Sequence, residues 1–331
     1  RPSPLYHAEN ISNKLGGAKI LFKQEHLNHT GSHKITNSLF QVLLAKRMGK
    51  KNLICESGAG QHYSATAAVA AKFGIPLIGV MGEVDIKRVN QNIIKAKHYG
   101  AKLKAVPGTL KEAITDAIKT WITNPDYYYV CGSAVSSFPF PKIVQFAQSI
   151  IGREIREQSM EQEGRLPDMI CGCVGGGSNF IGSIHEFLDE PNIKKIGVEA
   201  AETAALTHGT PNIMQGMKSY MLASSDGSKS LGGSSLGAGI QYFGVGPQHS
   251  YLKDQGAVTY TSATDKEILN AYKVVAQTEG ISSALEPMAA AAEVLKQAKG
   301  KPKDFIIVLS LCGRGEKDLD TIEEHMGKDF E

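Results

Sequence analysis

Short apolar segments alternate with amphipathic segments along the chain of 331 residues, and this alternation restricts the fold more than any other feature. The apolar segments predict buried strands at residues 19–23, 52–55, 76–81, 102–105, 127–132, 169–174, 195–198, 257–261 and 305–311. Segments with a helical period predict helices at residues 35–48, 63–73, 110–121, 143–157, 265–279 and 286–297. Since strands that alternate with helices form parallel sheets, we predict the α/β class, with two open, twisted, mostly parallel sheets flanked by helices.

The length of the chain exceeds the size at which a single core stops growing, so it predicts two lobes. The polar stretch at residues 158–167 is the best boundary between them. The lobes that we predict are an N-terminal lobe at residues 1–148 and a C-terminal lobe at residues 149–331, which begins shortly before that stretch. Residues 219–237 are rich in serine and glycine and predict a surface loop.

Composition excludes several classes of protein. The net charge of +3 and the scattered basic residues give no basis for binding nucleic acid. No apolar run is long enough to cross a membrane and no signal peptide is visible, so we predict a cytoplasmic protein without a membrane partner. Five cysteines without CxxC spacing argue against a disulfide framework and a structural zinc site, and no metal held by side chains is predicted. Because the chain begins at Arg1 without an initiator methionine, we expect a further segment upstream.

Lys34 follows a polar turn that contains glycine and opens the helix predicted at residues 35–48. The apolar side of this helix, which we expect to face the core, consists of Ile35, Leu39, Phe40, Leu43 and Leu44. A surface lysine is usually a solvated charge. At the mouth of an α/β protein with glycine-rich turns, however, its amine is also suited to binding an aldehyde cofactor.

Two glycine-rich turns follow predicted strands. Residues 174–179 (VGGGSN) join a strand to a helix, so their N–H groups favour a phosphate, although the same glycines also suit a tight turn without a ligand. Residues 56–62 (ESGAGQH) approach the dinucleotide fingerprint, but Tyr63 stands where its third glycine is expected. This second turn suits a substrate carboxylate, held by the N–H groups of residues 57–61, and Glu56 beside it is placed to move protons.

A third turn, Cys312-Gly-Arg-Gly315, ends the most apolar strand of the C-terminal half. Ligands of open α/β sheets bind at the carboxyl ends of strands, so we expect the three turns and Glu56 to face one crevice. A lysine, a phosphate turn, a carboxylate turn and an acid/base residue together indicate an amino-acid enzyme that uses pyridoxal phosphate.

In order and spacing, these motifs resemble those of the tryptophan synthase β-subunit family, which has the type II fold of pyridoxal-phosphate enzymes. The matching segments span nearly the whole chain: residues 1–5 (RPSPL), 27–37, 56–62, 163–167 (EGRLP), 174–179, 216–218 (GMK), 245–249 (VGPQH), 279–281 (EGI), 284–286 (ALE) and 313–315 (GRG). The resemblance implies that pyridoxal 5'-phosphate lies between the two lobes. It also implies that residues 50–136 form a mobile communication subdomain.

The resemblance implies a role for each matching residue. Lys34 would form the internal aldimine and later move the α-proton, and Glu56 would assist loss of hydroxide from serine. The remaining cofactor contacts would be made by His33, Ser133, Gly175, Gly176, Gly177, Ser178, Asn179, Glu286 and Cys312. Substrate would be bound by Ser57, Gly58, Ala59, Gly60, Gln61, His62 and Gln241.

The sequence departs from the family pattern at two positions that bear on chemistry. Cys312 stands where the family has a serine at the ring nitrogen, and a thiol is a weaker hydrogen-bond partner that still cannot protonate the ring. Gln241 stands where the family has an aspartate that recognises the serine hydroxyl and pairs with an arginine, which is retained here as Arg88. Since a neutral hydrogen bond is weaker than a charged one, we expect weaker closure of the site.

The resemblance implies β-replacement, in which L-serine and indole give L-tryptophan and water through an aminoacrylate. The alternative is β-elimination from serine or threonine, or β-replacement with a nucleophile other than indole. The family further implies a homodimer, an α-subunit partner and a monovalent cation bound by backbone carbonyls. Residues 106–109 are shorter than the family's α-facing segment, which puts docking of an α subunit in question.

Overall fold

The computed structural model describes residues 1–87, 90–224 and 231–329. The chain forms two compact units, a large unit of Arg1–Leu27 with Ala134–Glu331 and a small unit of Asn28–Ser133. This division differs from the predicted boundary at residues 148 and 149, and the two-lobe assignment with a mobile segment at residues 50–136 stays a prediction. Within the described residues, no helix is both long and apolar enough to cross a membrane.

The strands and helices are numbered along the chain. The strands are β1 (Leu5–His7), β2 (Lys19–Lys23), β3 (Asn52–Glu56), β4 (Leu77–Gly82), β5 (Lys102–Val106), β6 (Tyr127–Tyr129), β7 (Met169–Cys173), β8 (Lys194–Ala200), β9 (Thr210–Met214), β10 (Met217–Met221), β11 (Thr259–Ala263) and β12 (Ile306–Ser310). The helices are α1 (Glu9–Leu15), α2 (Lys34–Arg47), α3 (Gln61–Phe73), α4 (Glu83–Ile86), α5 (Asn90–His98), α6 (Leu110–Thr123), α7 (Phe140–Gln148), α8 (Ile150–Glu163), α9 (Ser178–Ile184), α10 (Ala205–His208), α11 (Pro247–Asp254), α12 (Asp265–Glu279), α13 (Leu285–Gln297) and α14 (Leu319–Met326).

The large unit is built on a sheet with the strand order β1-β2-β12-β7-β8-β11. Only the edge strand β1 runs antiparallel to its neighbour among these strands of the described chain. Successive residues of a strand point to opposite faces, so Phe22 and Leu309 pack into one core cluster while Leu21 and Val308 pack into another. Burial on both faces explains why the central strand β12 is a continuous apolar run.

The small unit contains a parallel sheet with the strand order β5-β4-β3-β6. Its core lies on the face covered by α2, α3 and α5, where Tyr63 is fully buried. A β-carbon on Gly79 of β4 would overlap the Tyr63 ring, so the large side chain at the unusual position 63 is matched by a glycine on the strand beneath it. The prediction of two mostly parallel sheets flanked by helices is confirmed.

The apolar face predicted for α2 was wrong in part, since Ile35 and Leu44 pack against the core of the small unit but Leu39 and Leu43 do not. Leu39 and Leu43 are 42% and 43% exposed, whereas Asn37 and Gln41 are fully buried. The physical reason is that the backbone after β6 supplies hydrogen-bond partners for these amides, so burial of the polar side costs little.

Two further predictions need correction. The helix predicted at residues 143–157 is two helices, α7 and α8, which meet at Ser149; its hydroxyl donates to Phe146 O at 2.9 Å, a local bond that bends helices. The loop predicted at residues 219–237 begins inside β10, which pairs with β9 in a hairpin. Gln215 and Gly216 form its turn with φ of 48° and 77°, as a two-residue hairpin requires.

Candidate active site

Lys34 is the first residue of α2 and follows a tight turn in the small unit. Thr30 and Gly31 adopt φ of 67° and 86°, which turns the chain sharply before the helix. The half-buried Lys34 side chain then reaches the segment after β6, where its Nζ donates to Gly132 O at 2.6 Å. His33 occupies the N-cap position of α2, and its side chain is buried.

Glu56 meets the same backbone segment from the end of β3. Its Oε1 accepts a hydrogen bond from Gly132 N–H at 3.1 Å, and the residue is 5% exposed. Burial raises the pKa of the Glu56 carboxyl, an effect that Tyr129, Gly132 and the Lys34 charge only partly offset. One glycine therefore contacts both predicted catalytic side chains, Lys34 through its carbonyl and Glu56 through its N–H.

The ring of His62 packs directly against Gly132. A β-carbon on Gly132 would overlap the His62 ring. Burial, followed by the charge of Lys34, lowers the pKa of His62 to about 3, so the imidazole is neutral at ordinary pH. Since Nε2 lies 2.8 Å from Val130 O, it carries the proton, and Nδ1 is left to accept from Ser38 or Thr66.

The predicted carboxylate turn lies between β3 and α3. Gly60 adopts φ of 72°, and a β-carbon there would lie 2.8 Å from Cβ of Asn92, whose Nδ2 donates to Ala59 O at 2.9 Å. The first N–H groups of α3 have no acceptor inside the helix and can serve an anion. One part of the prediction was wrong: Ser57 N–H already donates to Val80 O at 3.1 Å, because it continues the β3–β4 ladder.

The predicted phosphate turn lies between β7 and α9 in the large unit. Gly177 adopts φ of 92°, and a β-carbon on it would overlap the His249 ring. His249 Nε2 lies 2.8 Å from Gly177 O, and its Nδ1 lies 2.8 Å from the Tyr260 hydroxyl. Burial lowers the pKa of His249 to about 4, so the ring is neutral, donates to Gly177 and accepts from Tyr260. This histidine, which ends the matching segment at residues 245–249 but was assigned no role from the sequence, holds the turn in place.

The hydrogen bonds of Asn179, in the first turn of α9, show whether the glycine turn at residues 174–179 fits an anionic group. The side chain is 3% exposed, and its Oδ1 accepts from Ser310 Oγ at 3.1 Å. Its Nδ2 meets no hydrogen-bond partner among the residues that the structure describes. A buried amide donor without a partner is costly, and a phosphate oxygen would satisfy it. The residues of the turn therefore fit a phosphate group.

Glu286 lies in a buried ionic cluster at the start of α13. Its Oε1 accepts from Gly239 N–H at 2.6 Å and from Lys317 Nζ at 2.8 Å, and Lys317 also binds Asp318 at 2.7 Å. Burial alone would raise the pKa of Glu286, but the Lys317 ammonium outweighs it and lowers the pKa. Burial raises the pKa of Asp318 to about 6. Lys317 was not predicted, because a lysine in a polar, charged segment has the pattern of a surface residue.

Cys312 and Gln241 lie near the same turn within the large unit. Cys312 Sγ is 3.6 Å from Sγ of Cys173, the last residue of β7 and the second before Gly175. Gln241 follows a short 3-10 turn, Ala238–Ile240, and a β-carbon on Gly175 would lie 2.8 Å from Gly239 O in that turn. The large unit thus brings Glu286, Gln241 and Cys312 close to the predicted phosphate turn.

The predicted residues fall into two groups. The small unit carries Lys34, His33, Glu56, Ser57, Gly58, Ala59, Gly60, Gln61, His62 and Ser133. The large unit carries Gly175, Gly176, Gly177, Ser178, Asn179, Gln241, Glu286 and Cys312. Arg88 lies outside the described residues.

The small unit carries a lysine amine beside a buried carboxyl, and the large unit carries a glycine turn with an unsatisfied amide donor; each is a feature expected of a pyridoxal-phosphate enzyme of α/β architecture. The chain belongs to the pyridoxal-phosphate dependent enzyme family, whose model matches residues 1–313. A curated relative, the tryptophan synthase beta chain of Allorhizobium ampelinum, is 50% identical over 339 aligned positions, which cover 99% of this chain and 83% of the relative. The resemblance predicted from the sequence is confirmed.

Proposed function

We propose that this protein joins L-serine to indole and releases L-tryptophan and water, with pyridoxal 5'-phosphate as its cofactor. Family membership and the 50% identity to a tryptophan synthase beta chain support this reaction. The structural observation that carries the proposal is the shared contact of Lys34 Nζ and Glu56 Oε1 with Gly132. A basic amine and a buried carboxyl on one glycine suit the removal of an α-proton and of a β-hydroxyl from the same small amino acid.

The residues that would hold the cofactor are those of the two groups. Lys34 would bind the aldehyde, and His33, Ser133 and the turn from Gly175 to Asn179 would bind the phosphate. Glu286 and Cys312 would lie at the ring, with the thiol of Cys312 at the ring nitrogen. When bound, pyridoxal phosphate supplies an electron sink that makes the α-hydrogen of an amino acid acidic.

Lys34 and Glu56 would divide the proton transfers between them. Lys34 Nζ would take the proton from the α-carbon of serine and return it at the end of the reaction. The raised pKa of Glu56 keeps its carboxyl protonated at higher pH than that of an exposed glutamate, so it would protonate the departing hydroxyl as water. The same carboxylate would then accept the indole N–H and orient C3 of indole for attack.

The turn from Ser57 to His62 would bind the carboxylate of serine. The open N–H groups at the start of α3 and the positive end of that helix favour a negative charge. Since Ser57 N–H is engaged by Val80, Ser57 would contribute only its hydroxyl. Gln241 would contribute a neutral amide toward the substrate. Holding the substrate away from water is essential because water in the site would divert the product to pyruvate and ammonia.

The assembly and location proposed for the protein follow from its family. We propose a homodimer in the cytoplasm, with the monovalent cation that family members hold by backbone carbonyls. An α-subunit partner is proposed on the same basis, although the short segment at residues 106–109 alters the surface that would receive it.

Tryptophan formation from serine and indole tests the reaction. We expect Glu56→Gln to lower kcat by about 10²–10⁴-fold, the usual contribution of a positioned proton-transfer group. Lys34→Ala should abolish both activity and the visible absorbance band of the cofactor. Asp126→Asn is a matched control, since Asp126 is an exposed carboxylate of the same unit. Unchanged tryptophan formation in Glu56→Gln would contradict the proposed role of the carboxyl.

Gln241 and Cys312 favour a second candidate, elimination without indole. Both positions differ from the family pattern, and both lie beside the phosphate turn in the large unit. The two candidates differ in product, so serine is supplied with and without indole while tryptophan and pyruvate are measured. Pyruvate formation that indole does not affect would favour elimination and refute the first proposal.

A further inference from the structure

The backbone after β6 is held by a chain of hydrogen bonds within the small unit. Each peptide plane carries one carbonyl and one N–H that point in opposite directions. In the plane between residues 130 and 131, Val130 O accepts from His62, and Cys131 N–H donates to Gln41 Oε1 at 3.0 Å. In the next plane, Cys131 O accepts from Gln41 Nε2 at 2.7 Å, and Gly132 N–H donates to Glu56.

Gln41 is therefore bound to two successive peptide planes at once. Its amide pairs with both the N–H and the carbonyl of Cys131, as a neighbouring strand would, at the point where β6 has ended. Asn37, one turn earlier on α2, donates to the same carbonyl at 2.8 Å and accepts from Gln41 Nε2 at 2.7 Å. Both amides are fully buried, so water does not compete for these bonds.

We propose that Gln41 is a positioning residue for the reaction, because it orients the peptide whose N–H binds Glu56 and the glycine whose carbonyl binds Lys34. This inference rests on the proposed function. Hydrogen bonds in a chain also polarise one another, so the bonds that Gln41 and Asn37 donate to Cys131 O strengthen the donation from Gly132 N–H to Glu56. Gln41 itself lies two turns from Lys34 along α2, and within the described residues its amide bonds to Asn37 and Cys131 rather than to Glu56 or Gly132.

The test compares two buried neighbours on α2. Gln41→Met keeps the length and volume of the side chain but removes both bonds to Cys131. Val42→Ala removes packing from the same helix without removing a hydrogen bond to residues 130–133 and serves as a control for loss of stability. Gln41→Glu is the second variant; its carboxylate can still accept from Cys131 N–H but cannot donate to Cys131 O.

Two measurements separate positioning from mere stability. The first is hydrogen exchange of the backbone amides of residues 131–133, which should accelerate at all three residues in Gln41→Met, at residues 132 and 133 in Gln41→Glu, and at none of them in Val42→Ala. The second is the pH profile of tryptophan formation. A weaker bond from Gly132 raises the pKa of Glu56, whose other facing groups are Tyr129 and Lys34, so the limb that reports Glu56 should shift to higher pH.

The kinetic expectation is a loss in kcat of about 10- to 100-fold in Gln41→Met, as for a misplaced catalytic group, with the KM for serine close to that of the unmodified protein. If Gln41→Met and Gln41→Glu match Val42→Ala in exchange rate and pH profile, the inference is overturned while the proposed function stands. If the unmodified protein forms no tryptophan, the proposed function fails instead, and the exchange data alone then decide whether Gln41 orders residues 131–133.

Discussion

Replacement of Gly177 by alanine is expected to damage the phosphate turn for two separate reasons. At φ of 92° the new β-carbon meets its own backbone, a strain of about 1–2 kcal/mol for a residue in the left-handed region. The β-carbon would also overlap the ring of His249, which is held by Tyr260 on one side and stacks on Phe180 at 6.0 Å. Displacing a packed side chain costs about 1–3 kcal/mol, and the lost bond to Gly177 O about 1 kcal/mol more.

These costs together predict a loss of about 3–6 kcal/mol in the free energy of unfolding of the large unit. The matched control is Gly164→Ala at the end of α8. Gly164 has φ of 69°, and a β-carbon there meets no atom within 4 Å. The control therefore isolates backbone strain, and we expect it to lose only about 1–2 kcal/mol.

Urea unfolding followed by circular dichroism measures both losses, and titration with pyridoxal phosphate measures the effect on cofactor affinity. We expect weaker cofactor binding in Gly177→Ala and unchanged binding in Gly164→Ala. Equal destabilisation by the two substitutions would refute the reasoning, because it would show that His249 yields without cost and does not support the turn.

Two further predictions concern buried charges of the large unit. Lys317→Met leaves the carboxylates of Glu286 and Asp318 buried without their cation, so we expect a loss of about 3–5 kcal/mol in unfolding free energy by urea titration, against no measurable change for exposed Lys303→Met. Burial raises the pKa of Glu199 to about 7. The folded protein therefore binds the proton of this carboxyl more tightly than the unfolded chain does. The resulting contribution to stability is present at low pH and is lost as the pH rises from about 4.5 to about 7. The free energy of unfolding should therefore fall more steeply between pH 5 and pH 8 in the unmodified protein than in Glu199→Gln, by up to about 3 kcal/mol, and equal slopes would contradict the assignment.

The central parallel strands β7 and β12 could be predicted because they are buried on both faces, and β12 is also an unbroken apolar run. The hairpin of β9 and β10 was missed, since its strands are short and partly exposed, although the glycine of its two-residue turn was a usable signal. Helix α2 was oriented wrongly because periodicity alone treats buried amides as solvent-facing. Asn37 and Gln41 stand three and seven residues after Lys34, which places them on the same side of the helix as Lys34. This spacing was the sequence signal of their role.

The candidate site was predicted best where glycine itself carried the information. Turns at residues 56–62 and 174–179 need close backbone approach, and glycine records that need in the sequence. Contacts between residues that lie far apart in the sequence give no comparable sequence signal. His249 and Lys317 act through contacts with Gly177 and Glu286, and neither spacing nor composition could have linked them.

The reactive side chains share one feature that bears on how such an enzyme can change its chemistry. Lys34 and Glu56 bind backbone atoms of Gly132, and Glu286 binds the N–H of Gly239. A backbone partner cannot be altered by replacing its side chain, so these contacts survive substitution as long as the glycines remain. Groups proposed to meet the substrate or the ring through their side chains, such as Gln241 and Cys312, would vary without disturbing those backbone contacts. If the proposed roles hold, proton transfer at Lys34 and Glu56 is the part of the chemistry that backbone contacts protect, whereas the choice of the incoming nucleophile would depend on side chains such as Gln241 and Cys312.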